Sequence, residues 1–408
     1  MPPTLLNRDY LLMVSAGVVS SIGTMTSQIA LPLLALGLTQ SAAWAGLLGA
    51  AQQLPYLLFS LPAGAWVDRV HRKRLLVVCD LIRFALLGSI PLAYALGSLN
   101  MPQLLCAVFI VGVCTVLFEV AELAALPQIV QAARLARARS VSEGIEASAK
   151  IIGPSVGGFI VSLGRTTVSG SVLAYLVDSL SYLLSAGALL SIGRPLQQPQ
   201  ATAQPSLPRA MREGLRFLWR HPTLRTLMVV TTVVNFLQAP LSLLVILVAQ
   251  RRLGLSPAQI GLIFGVAGGT ALLGSALAGW LYRPERLGPI MLGSLIVWAL
   301  SALTLALAVD SLTLTTGWAL TQLVWPVYAV AVVSYRLAET PDHLQGRVIS
   351  AFRALSYGAE PVGLALGGLS VAVVGPSVVF GIIGIGLLSC VGMSRRFACG
   401  TLARERKA

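Results

Sequence analysis

Long apolar runs alternate with short charged breaks along the whole 408-residue chain. A helix crossing an apolar layer about 30 Å thick needs roughly 20 consecutive apolar residues. Twelve runs meet that need: 10-37, 43-65, 75-97, 101-128, 140-163, 168-193, 223-250, 257-282, 287-309, 311-337, 346-371 and 374-394. Each predicts a spanning helix, so the expected fold class is all-α, a polytopic membrane protein of twelve transmembrane helices. The first run follows Arg8 and Asp9, is too long for a signal-peptide core and has no small-residue cleavage site after a short stretch. It is expected as a retained first helix.

The one long break, RPLQQPQATAQPSLPRAMREGLRFLWRHP, opens Pro- and Gln-rich and continues with helical spacing of Arg209, Arg212, Arg216 and Arg220. It divides the chain into a six-helix half at 1-193, a linker with an amphipathic helix at 194-222, and a second half at 223-408. That helix either lies on the inner leaflet or is a solvated linker.

Shifting the chain onto itself by 215 residues brings Ser41 onto Ser256, Gly46 onto Gly261 and Gly64 onto Gly279. A shift of 210 aligns Arg137 with Arg347 and Gly157-Gly158 with Gly367-Gly368. Two pseudo-symmetric halves of this kind are the signature of a transporter with a site between them.

Composition agrees: 56% of residues are hydrophobic, only 11% are charged, and mean hydropathy is +0.82. The excess must face lipid. A net charge of +14 would suggest nucleic acid in a soluble protein, but its distribution argues otherwise. With both termini cytoplasmic, only Arg165, Arg251 and Arg252 of the 29 basic residues fall outside, as the positive-inside rule requires. The expected location is the cytoplasmic (inner) membrane, with lipid bilayer and a small-molecule substrate as partners, no nucleic acid, and a monomeric state. Five cysteines at no ligand spacing imply packing, with no metal site.

Residues 64 to 74, GAWVDRVHRKR, resemble motif A of the major facilitator superfamily between helices 2 and 3, with Gly64, Asp68, Arg69, Arg72 and Lys73 in its positions. GPSVGG, carrying Gly153, Pro154, Gly157 and Gly158, resembles the antiporter motif of helix 5, with Ala149 where that motif often has another glycine. LPQIVQAARLARA, YLVDSLSYLLSA and EGLRFLWRHPTLR are similar to the drug and siderophore exporter branch, with its enterobactin exporters and macrolide-efflux proteins. The drug-exporter arginine of helix 4 is missing, and Arg283 occupies the second-half slot of Asp68. The resemblance implies alternating access, with Asp68 capping helix 11 near Gln345-Gly346-Arg347 and Gly64 permitting close approach. Arg72, Lys73 and Arg74 either relay charge at this gate or only hold the loop inside.

Ionisable groups within spanning helices are functional candidates by default. Asp80 and Arg83 lie in segment 3, Glu119 and Glu122 near the end of segment 4, and Glu143, Glu146 and Lys150 in segment 5. Glu146 and Lys150 stand in the favourable i,i+4 order and form either a static pair or a moving one. Under the repeat Lys150 coincides with Glu360 and Glu143 with Arg353. A proton-coupled exporter needs a carboxyl that exchanges a proton near neutral pH. Glu360, Glu122 and Glu119 are the first candidates; Asp178 in segment 6 fits a buried structural aspartate better. The resemblance places helices 1, 4, 7 and 10 around the cavity, offering Gln28, Asn235, Gln238, Trp318, Gln322, Trp325 and Tyr328. Each of these suits helix contacts or the interfacial belt equally well. Together they suit an amphipathic ligand.

Walker, HExxH and GxSxG motifs are absent, so ATP drive and hydrolysis lack support. The reading is a non-enzymatic, proton-driven exporter of hydrophobic or amphipathic small molecules, with no cofactor beyond the proton gradient. The alternatives are an uptake carrier or lipid-moving facilitator of the same fold, and, less supported, a membrane enzyme or assembly protein.

Overall fold

The computed structural model describes residues 8–67, 69–130, 135–196, 207–283, 286–341 and 344–405. All regular structure among them is helical. The first six hydrophobic segments become α1 (Arg8–Thr39), α2 (Ala42–Val67), α3 (Arg72–Ala95), α4 (Met101–Ile129), α5 (Leu135–Ser162) and α6 (Thr167–Leu190). The linker contributes α7 (Leu207–Arg220). Segment 7 forms α8 (Pro222–Gln238), α9 (Leu241–Leu247) and a π-helical turn, Val248–Arg252. Then follow α10 (Pro257–Leu281), α11 (Leu287–Ala306) and α12 (Ser311–Glu339), segment 11 as α13 (Gln345–Gly358) and α14 (Glu360–Val374), and α15 (Pro376–Glu405). Nine helical spans among the described residues are long and apolar enough to cross a membrane.

Where the hydrophobic pattern predicts unbroken helices in segments 7 and 11, each helix breaks. Proline alone does not explain this, because Pro32, Pro55, Pro91, Pro154 and Pro326 are absorbed inside continuous helices. At Pro240 and Pro361 the breaks coincide with a close helix crossing. A Cβ on Gly363 would collide with the Phe236 carbonyl, and one on Gly367 with the Pro240 ring. Backbone therefore packs on backbone where α14 crosses the α8/α9 junction, and the interrupted hydrogen-bond ladder follows from the missing proline N–H.

The turns are set by local chemistry. Asn100 caps α4 by accepting from the Gln103 N–H at 2.9 Å, and Thr166 and Asp310 open α6 and α12 with reciprocal capping boxes. The Thr313 backbone N–H and hydroxyl, donating to Asp310, hold its carboxyl below the usual carboxylate range.

Two compact units result. The first comprises residues 1–40, 51–204 and 257–262; the second comprises 41–50, 205–256 and 263–408. In the first, α6 packs on α1, α3 and α5, and α4 packs on α3, around a core that includes Leu76, Leu117, Phe118, Ala121 and Leu189. In the second, α11 packs between α12 and α15, and α8 meets α13, α14, α15 and α7.

The unit boundaries cut α2 and α10 because the first turns of each leave their own helix partners for a glycine crossing. A Cβ on Gly46 would sit 2.6 Å from the Leu364 carbonyl and 2.8 Å from Cα of Gly368; one on Gly261 would sit 2.7 Å from the Pro154 carbonyl and 3.0 Å from Cα of Gly158. These are counterpart contacts under the two sequence shifts: Gly46 maps to Gly261, and Gly368 to Gly158. The reciprocal positions agree as well, since a Cβ on Gly368 would meet the Ala42 carbonyl and one on Gly158 the Pro257 carbonyl. The internal repeat thus reappears atom for atom, as two small-residue crossings.

Candidate functional site

The densest polar cluster lies in the first unit, between α1, α3 and α6. Along α6 the polar residues Asp178, Ser181, Tyr182 and Ser185 recur at helical spacing, which gathers them on one face. Asp80 and Arg83, at i,i+3 on α3, are 0% and 3% exposed and paired at 3.1 Å. Ser185 donates to the other Asp80 oxygen at 2.6 Å. The Arg83 guanidinium lies 4.8 Å from the Phe118 ring centroid and 5.0 Å from that of Tyr182, a cation–π sandwich that replaces water. Tyr182 in turn shares a 2.7 Å hydrogen bond with Thr24 on α1.

One turn further along α6, Asp178 is 2% exposed. It accepts from the Ser27 hydroxyl of α1 at 2.5 Å and more weakly from Ser181 at 3.5 Å. Gly23 makes this possible, because a Cβ there would sit 2.7 Å from Asp178 Oδ1 and collide with the Ser181 hydroxyl. Sequence reasoning missed Ser27, Thr24, Tyr182 and Ser185, although the α6 polar stripe was readable at period 3.6 within an apolar run.

Two other predicted carboxylates of this unit lie on α4. Glu119 accepts from Tyr56 Oη at 2.7 Å, and Glu122 Oε1 would lie 3.7 Å from a Cβ on Gly17. The side chains of Glu143, Glu146 and Lys150 lie outside the described residues.

Asp68 also lies outside the described residues. Of its neighbours, Arg69 is exposed, while Arg72 is buried and donates to the Ala124 carbonyl at 3.0 Å. Lys73 Nζ donates to the carbonyls of Leu190 and Ile192 at 2.9 and 2.6 Å. Lys73 therefore satisfies carbonyls at the C-terminus of α6, where a cation is favoured. A Cβ on Gly64 would meet nothing within 4 Å. Within the GPSVGG stretch, Gly153 lies against Met25, Gly157 against the Thr26 backbone, and Ser155 donates to the Gly261 carbonyl at 3.1 Å.

In the second unit, α7 is clasped to the neighbouring helices. Arg347 pairs with Glu213, His221 Nε2 stands 3.3 Å from Glu339, and a Cβ on Gly214 would collide with the Arg347 carbonyl. Leu218 is buried, while Arg212, Arg216, Trp219 and Arg220 face outward. Both partners of the Arg347–Glu213 pair are at least a third exposed, so Glu213→Gln is expected to shift stability by less than about 1 kcal/mol. A thermal unfolding midpoint within a few degrees of wild type in detergent would show this.

The predicted cavity residues divide by burial. Asn235 is 3% exposed; its amide N–H donates to the Ser356 carbonyl at 2.9 Å, and its Oδ1 has no partner. Gln238 Nε2, Trp318 Nε1 and the Ser356 hydroxyl likewise have no partner among the described residues. Leaving such groups without a partner costs about 1–3 kcal/mol each. Tyr328 is buried against Trp298 at 5.1 Å and bonded to Thr231 at 2.8 Å; Trp325 stands 5.9 Å from Trp298 and Trp318 5.3 Å from Phe264. Gln322 is half-buried and Gln28 exposed. Glu360 opens α14 just past the break in segment 11 rather than lying inside a continuous helix. No group of three or more His, Cys, Asp or Glu side chains that could hold a metal occurs among the described residues.

A multi-pass helical membrane protein with two glycine crossings related by an internal repeat, and charges buried within its helices, is a transporter. The chain belongs to the Major Facilitator Superfamily, whose family model matches residues 13–359. It is similar to the multidrug efflux pump Tap of Mycobacterium tuberculosis, 29% identical over 374 residues that cover 88% of this chain and 85% of the relative. Macrolide efflux protein A of Enterococcus faecalis is 23% identical over 322 residues, covering 76% of this chain and 96% of that protein. The fold is also that of a bacterial homologue of the iron transporter ferroportin (TM-score 0.76, 12% identity, 98% and 99% of the two chains). The nucleoside transporter NupG shares it too (TM-score 0.73, 12% identity, 94% and 98%).

Proposed function

We propose that the protein exports hydrophobic or amphipathic small molecules, in the range of drugs and macrolide-like compounds, by proton antiport and alternating access. The observation that carries export is the likeness to an efflux pump along nearly the full length of both chains. No cofactor is needed, because the proton gradient supplies the energy. The working unit is a monomer in the cytoplasmic membrane with both termini inside, its two halves being residues 1-193 and 223-408 joined by the 194-222 linker. The candidates for the proton site such a cycle requires are the carboxyls within the spanning helices, Asp80, Asp178, Glu119, Glu122 and Glu360. Asn235, Gln238 and Trp318, with polar atoms lacking partners, supply contacts to substrate.

Cells lacking their own drug pumps and expressing this chain are expected to accumulate several-fold less erythromycin than control cells, with the difference abolished by a protonophore. Raised accumulation would instead favour the uptake carrier.

A further inference from the structure

We propose that Asp178, buried between α6 and α1, carries the exported substrate's counter-proton. This rests on the proton-antiport reading above and assigns the exchange to one side chain. The carboxylate sits within a spanning helix and is 2% exposed, and no ion pair reaches it among the described residues. The hydroxyls nearest it are Ser27, which donates to the carboxylate, and Ser181, which stands 3.5 Å from it while donating to the Asp178 backbone carbonyl at 2.7 Å. Hydroxyls satisfy either protonation state, because each can donate to the carboxylate or accept from the neutral acid. Asp80, by contrast, is tied to Arg83 at 3.1 Å and to Ser185 at 2.6 Å, so a proton arriving there displaces a buried cation's partner.

Burial is no obstacle to this ligand, since a proton needs donors and acceptors rather than a cavity. Thr24, half-buried on α1, shares a 2.7 Å hydrogen bond with Tyr182 and stands three residues before Ser27, so the two hydroxyls lie on one face of α1. The ionisable groups around Asp178 are few. From α3 come Arg83 and Asp80, from α6 itself Tyr175 and Tyr182, and from α1 only the hydroxyls of Ser27 and Thr24. On α5, which also packs on α6, the ionisable side chains Glu143, Glu146 and Lys150 lie outside the described residues. The step is a bare proton transfer: an O–H bond forms on the carboxylate when the site faces outside and breaks when it faces inside, with no other bond altered.

Asp178→Asn is the test, because the amide oxygen still accepts from Ser27 while the group no longer titrates. In purified protein reconstituted into vesicles, erythromycin counterflow at equal pH is expected to stay within about threefold of wild type. Accumulation driven by a pH gradient and substrate-induced proton release should fall at least tenfold. Asp178→Glu should restore coupling, and Ser27→Ala, by removing a donor to the ionised form, should move the pH midpoint of coupled transport upward by about one unit. Full proton release in Asp178→Asn, or loss of counterflow in a variant that still unfolds at the wild-type temperature, would overturn the assignment. Wild-type protein that moves erythromycin without moving protons would overturn the antiport reading and this assignment with it.

Discussion

Leucine at Gly158 is expected to lower transport about tenfold or more, and leucine at Gly368 should do the same. At both positions the atoms a side chain would meet belong to backbone: the Pro257 carbonyl and Cα of Gly261 in one case, the Ala42 carbonyl and Cα of Gly46 in the other. No rotamer change relieves such a clash, so the helices must separate. The two crossings are counterparts under the repeat, and the two defects should therefore be alike in size. Gly279→Ala and Gly269→Ala, where a Cβ meets nothing within 4 Å, should stay within about twofold of wild type, the difference from the leucine variants being one of overpacking. Initial rates of erythromycin efflux from vesicles, normalised to protein inserted, would measure all four.

Arg83→Leu is expected to destabilise the first unit by about 3–5 kcal/mol, because it leaves the Asp80 carboxylate buried without its cation. The sandwich between Phe118 and Tyr182 would lose its filling as well. Adding Asp80→Asn should recover much of the loss, since the amide retains an acceptor for Ser185 without a charge. Unfolding of the single and double variants in detergent, followed by fluorescence against temperature, separates the ion pair's own contribution from the penalty of an orphaned charge.

How much of this was legible depended on the period of each feature. The twelve apolar runs were readable because membrane thickness fixes their length, and the linker because its composition changes abruptly. The glycine repeat named Gly46, Gly261 and the 157–158 and 367–368 pairs, yet which glycine meets which is decided by helices distant in sequence. The breaks at Gln238–Pro240 and Gly358–Glu360 were hidden because other prolines in this chain are carried inside intact helices, and because the crossing at Gly363 and Gly367 joins segments distant in sequence.

Charge was visible and partnership was not. Asp80 and Arg83 stood out as i,i+3 ions in an apolar run, but Ser185 and Phe118 complete their site from 105 and 35 residues away. Serines and threonines within apolar runs gave little warning, because most bond back to their own helix, as Thr115 does to the Val111 carbonyl. Ser27 is different only because Gly23, one turn before it, lets α6 come close. Basic residues of the 64–74 stretch read either as a charge relay or as topology markers, and in the structure Arg72 and Lys73 bind carbonyls of α4 and at the end of α6, a role that needs the folded partners to be seen.

The claim on which the rest depends is exchange of substrate for protons. Everted vesicles holding an imposed pH gradient, acid inside, test it directly when erythromycin is added to the medium. Prompt, saturable alkalinisation of the lumen that requires the protein and is lost in Asp178→Asn is the expected result. An unchanged gradient during measurable uptake of the compound into the same vesicles would contradict it.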